Sequence, residues 1–102
     1  MIKLTETMLN KYIIDANESV VDSLRFWVDF GGLKHGQKKC ISARVKNGGN
    51  TVVCCYLANR RGDRRISIKG LRKQAEAGDS VVFSQDFNNF LTVSILKRKR
   101  GR

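Results

Sequence analysis

The sequence contains no proline, one histidine, and nine carboxylates against twenty lysines and arginines in 102 residues. With no proline and 41% of residues hydrophobic, the chain is not a disordered tail. No apolar run approaches the roughly 18 residues of a spanning helix, and no signal-peptide pattern opens the chain. Neither a membrane protein nor a secreted one is expected. The single histidine excludes His-pair metal chemistry. The three cysteines, Cys40, Cys54 and Cys55, lack the paired C-x2–4-C spacing of zinc sites. On a strand, Cys54 and Cys55 point to opposite faces. All three are read as buried core thiols, and their odd number fits a reducing compartment, cytoplasm with its nucleoid or a nucleus. No Asp or Glu is followed two residues later by Lys, so the Asp/Glu-x-Lys signature of many nucleases is missing. There is no Gly-x-Ser-x-Gly and no Gly-x4-Gly-Lys. No active site, cofactor or metal is expected, and the protein is not expected to be an enzyme.

What the chain has is positive charge. The net charge of +11 and the pI near 10.2 point to a polyanion, most often nucleic acid, with an anionic membrane surface as the competitor. At 102 residues it is one domain with a modest core.

Thr5 is suited to cap a helix over residues 6–15, with Met8, Leu9, Tyr12 and Ile13 on one face. Residues 19–30 fit two patterns. Val20, Val21, Leu24, Trp27 and Val28 have helical spacing, and Ser19 with Asp22 resembles a capping box. Leu24, Phe26, Val28 and Phe30 alternate, and the aromatic and β-branched content favours a strand over 23–30. Residues 31–39 form a glycine-rich basic loop. An alternating strand over 40–46, an Asn47-Gly48-Gly49-Asn50 turn and an apolar strand over 51–57 form a hairpin. The apolar run places the second strand centrally in a sandwich or closed sheet. After a basic loop come a strand at 66–69, a helix-like piece at 71–77, a Gly78-Asp79 turn and a strand at 80–83. A hairpin turn at 86–89, a strand at 91–95 and a basic tail at 97–102 complete the chain. The expected fold is mainly β with one or two short helices (α+β), a small pseudobarrel of about six to seven strands. The domain spans 1–96, and 97–102 is a basic tail or the start of a linker.

The loop carrying Arg60, Arg61, Arg64 and Arg65 is the leading nucleic-acid candidate, because arginine forks bind phosphate or guanine O6 and N7 bidentately. Lys69 and Arg44 extend the footprint as phosphate contacts. Lys34, Lys38 and Lys39 form a second basic segment, and Lys97 and Arg98 open the tail. Among the aromatics, Phe83 reads as core, while Phe87 and Phe90 flank a hairpin turn and are the pair to expose. Surface stacking would favour an RNA or single-strand binder.

The run Arg60 to Leu71, then Ala77-Gly78-Asp79-Ser80-Val81-Val82-Phe83 and Leu91-Thr92-Val93, resembles the second half of a family of DNA-binding pseudobarrels. These are the plant domains of the auxin-response-factor type and the effector domain of the EcoRII restriction endonuclease. Leu71 stands where the plant domains usually have Trp. The pattern also resembles the swapped-hairpin AbrB regulators. The resemblance implies two arms gripping the major groove of double-stranded DNA. Arg60, Arg61, Arg64 and Arg65 inherit one arm by position, while the second arm, 34–39, rests on its charge. It also implies the targeting module of a larger nuclease, repressor or replication initiator, covalently followed by a catalytic domain. An RNA-binding β-barrel and a protein-interaction module from a mobile element are the other classes.

Overall fold

The structure, a computed structural model, describes residues 1–46, 48–58 and 62–98. Among the described residues, seven strands form one curled half-barrel sheet, accompanied by two short helices. Strand β1 is Ile2–Lys3 and helix α1 is Glu6–Lys11. Strand β2 is Ile14–Asp15 and helix α2 is Glu18–Leu24. The remaining strands are β3 Lys38–Val45, β4 Asn50–Leu57, β5 Arg64–Ile68, β6 Ser80–Gln85 and β7 Leu91–Leu96. Their order is β1-β6-β7-β3-β4-β5-β2, antiparallel except for the β3–β7 pair. The expected mainly β fold of six to seven strands with one or two short helices is the class observed, and its sheet is a curled half-barrel.

Helix α1 starts where expected. Thr5 accepts a hydrogen bond from the Met8 N–H, and Glu6 lies in the first turn, where the helix dipole favours an acid. The helix ends four residues early. Tyr12 turns left-handed (φ 55°), its N–H donates to the Met8 carbonyl, and Ile14 joins the sheet against Ile66.

Residues 23–30 are not a strand. Asn17, rather than Ser19, caps α2 by accepting from the Val20 N–H at 2.9 Å. The helical spacing prevails because it buries more: Val20, Leu24 and Val28, at i, i+4 and i+8, are all buried. A strand that buried Leu24 and Val28 would also have turned Phe26 inward, yet Phe26 is 62% exposed. A 3-10 turn, Phe30–Gly32, follows, with Asp29 accepting from the Gly31 N–H. The piece expected as a helix at 71–77 is a single 3-10 turn, Leu71–Lys73, entered through left-handed Gly70.

The period of two along each strand builds the core. Ala43, Val53, Cys55, Ile66, Ile68, Val81, Phe83, Leu91 and Val93 line the inner face. Ile14 of β2 joins them, and Leu4, Leu9, Val20, Leu24, Val28 and Phe30, from α1, α2 and the segments beside them, complete the core. Buried Asp79 ties the last strand to the turn before β6. Its carboxylate accepts from the Glu76 and Arg98 N–H groups, each at 2.9 Å, and lies 3.2 Å from Lys97 Nζ. Those two backbone donors, helped by Lys97, hold its pKa down at about 2 against the opposing effect of burial. Asp79 therefore makes the turn into its strand, as its position after Gly78 suggested, and also anchors Arg98.

The expectation of three core thiols holds for Cys55 alone. Burial pushes its thiol up to about 12. Cys40 and Cys54 stand opposite one another on β3 and β4 and form a disulfide on the outer face. Facing positions of a hairpin bring two side chains within bonding reach, and that pairing outweighs the burial preference of a free thiol.

Candidate nucleic-acid interface

The strand registers arrange the outer face in rows. Lys38 lies beside Tyr56, which lies beside Arg65. The next row is the Cys40–Cys54 disulfide and Ser67, followed by Ser42, Val52 and Lys69. Arg44 lies between Asn50 on β4 and Thr92 on β7. Most rows thus carry a cation, separated by small or polar residues. Between Asp29 and Asp63 the sequence has five lysines and arginines before the β4–β5 loop and no intervening acid, and this segment supplies β3 and β4.

Two of these cations lie over aromatic rings. Lys38 Nζ is 5.5 Å from the Tyr56 centroid and the Arg44 guanidinium is 4.9 Å from that of Phe90. Such pairs hold the charge at the surface and keep the stem packed. Phe90 is half-buried on the outer face, and Phe87, at the tip of the β6–β7 hairpin, is 95% exposed. The expected exposure therefore applies fully to Phe87 and partly to Phe90. Tyr56, one of the aromatics that could stack on bases, is half-buried on the outer face although it lies in the apolar run of its strand. Its parity could have found it, since it alternates with the inward-facing Val53 and Cys55.

The arginine loop divides into two kinds of residue. Arg60 and Arg61 lie outside the described residues. Arg64 pairs with Glu18 at 2.9 Å and Arg65 lies 3.0 Å from Asp15, so both tie β5 to the N-terminal segment. The loop is closed by the Ala58 N–H donating to the Asp63 carbonyl at 2.8 Å. Lys34, Lys38 and Lys39 are exposed, and the Gln37 side chain accepts from the Lys34 N–H. Lys69 is exposed at the end of its row. Lys97 donates to the Gln74 carbonyl at 2.7 Å and Arg98 is held through its backbone, so the start of the tail is folded against the turn before β6. The rest of the tail, residues 99–102, lies outside the described residues.

The topology brings the two proposed arms together. The start of β3, following 34–37, and the β4–β5 loop are at the same end of the sheet, because β3, β4 and β5 are successive antiparallel neighbours. Gly31, Leu33, Gly62 and Arg64 line one groove there. The acids at this end are engaged: Asp15 and Glu18 by the two arginines, Asp22 by Arg25 at 2.6 Å, and Asp29 by its cap.

Among the described residues no three His, Cys, Asp or Glu side chains gather as metal ligands. No helix among them is long and apolar enough to cross a membrane. No protein-family model, curated protein or solved structure matches the chain.

Proposed function

We propose that this chain is a double-stranded-DNA-binding domain. The observation that carries the reading is the Lys38–Tyr56–Arg65 row, which brings segment 34–39 and the β4–β5 loop to one end of the sheet. Two basic segments at one end of a β sheet suit a groove flanked by phosphates. Lys34, Lys38 and Lys39 supply phosphate contacts. Base readout falls to Arg60 and Arg61, since Arg64 and Arg65 are engaged with carboxylates. The resemblance to DNA-binding pseudobarrels points the same way on its own residues, and a targeting module of a larger nuclease, repressor or replication initiator is the role it suggests.

A selection from a random duplex library at physiological salt tests this. Enrichment of one short motif supports sequence-specific binding, while strong binding without enrichment leaves a nonspecific binder. No binding overturns the proposal. In the Lys38→Ala/Lys39→Ala protein, the slope of log affinity against log salt should fall by about 0.9 for each phosphate that is no longer neutralised. A second reading, single-stranded or RNA binding, draws on Tyr56 and Phe90 lying on the outer face rather than in the core.

A further inference from the structure

The other end of the outer face carries a groove. Ser42, Asn50, Lys69, Lys73, Gln74 and Phe90 line it, and its volume is about 520 Å³, in the range of small-molecule sites. Three kinds of group converge here. Lys69 and Lys73 are ammonium groups, and no carboxylate lines the groove. Asn50 and Gln74 are carboxamides, each with a donor and an acceptor in one plane, and neither side chain has a hydrogen-bond partner among the described residues. Phe90 is an aromatic wall whose ring is held by Arg44.

A phosphate, a base edge and a base face are the complements of these three. We infer that the groove holds one unpaired nucleotide of a bound strand: base against Phe90, edge on Asn50 and Gln74, phosphate on Lys69 and Lys73. The inference rests on the nucleic-acid reading above and adds a second contact point to it. Lys38 and Arg44 are six residues apart on β3, a span of about 20 Å, or about six nucleotide steps along one strand. A duplex gripped at the basic end would therefore reach the groove through a single-stranded extension of that length.

The test is fluorescence anisotropy with a blunt duplex and with the same duplex extended by about ten unpaired nucleotides, on either strand, enough to cover that span. The extended duplex should bind about ten-fold tighter, as one base–aromatic stack predicts. In Phe90→Leu and in Lys73→Gln, each checked for an unchanged melting curve, the ratio of the two affinities should fall toward one. A wild-type ratio of one, or a gain that survives both substitutions, overturns the groove and leaves duplex binding standing. Binding of the extended form alone supports the groove and overturns the duplex reading. Binding of neither form overturns both.

Discussion

The two faces of the sheet are made by the same strands and have opposite chemistry. On β4, Cys55 faces inward, fully buried with its thiol pushed up to about 12, while its neighbour Cys54 faces outward in a disulfide. On β3, Ala43 and Val45 are buried, while the intervening Arg44 lies over an exposed-side aromatic ring. The inner face is close-packed and intolerant of reduced volume. The outer face has small or polar side chains between its cations. Core-packing residues and surface cations are thus interleaved one by one along each strand.

The largest effect is expected from breaking the inner face. Leu91→Ala should lose about 3–5 kcal/mol in urea unfolding, because it leaves a cavity under a fully buried side chain. The matched outer-face change, Val52→Ala, should stay within about 1 kcal/mol. Equal losses would show that the two faces do not divide the work in this way.

Asp79→Asn should cost about 2–3 kcal/mol near neutral pH, since it weakens charge-assisted bonds from two backbone N–H groups and Lys97. The folded-state pKa of Asp79 lies below the ordinary value near 4. Its contribution is therefore complete above about pH 4 and is lost as pH falls toward about 2. Melting temperatures across that window should fall less steeply in the variant than in the parent.

The disulfide is expected to contribute no more to stability than Asp79. It closes a hairpin with a sequence separation of 14, so Cys40→Ser/Cys54→Ser should lose up to about 3 kcal/mol, and treating the parent with a dithiol should reproduce the loss. Under reduction the two outer thiols should react with a thiol reagent, while Cys55 should react only on unfolding.

The hairpin of β3 and β4, the strands β5 to β7 and the first cap were legible because alternation and turn residues report on neighbours one or two positions away. The 23–30 segment was not, because Leu24 and Val28 satisfy both periods. The deciding fact, that Phe26 can face solvent, depends on what packs above α2. Strands β1 and β2 were illegible for another reason: two residues carry no period, and their pairing with β6 and β5 is set by distant sequence. For the site, the charge of both basic segments was plain. What could not be read was which cations the fold engages internally. Glu18 is 46 residues from Arg64, and Asp79 is 18 from Lys97.

Strands β1 and β2 are adjacent in the chain but occupy the two outermost positions of the sheet. Only residues 4–13, including α1, lie between them. The first fifteen residues therefore act as a strap across the open seam of the half-barrel, covering both of its bare edges at once. Losing the strap would leave β5 and β6 with unpaired backbone groups on opposite sides of one molecule. Each such molecule would carry two edges on which further copies could add, so detachment would turn an edge-protected sheet into a unit competent for end-to-end growth.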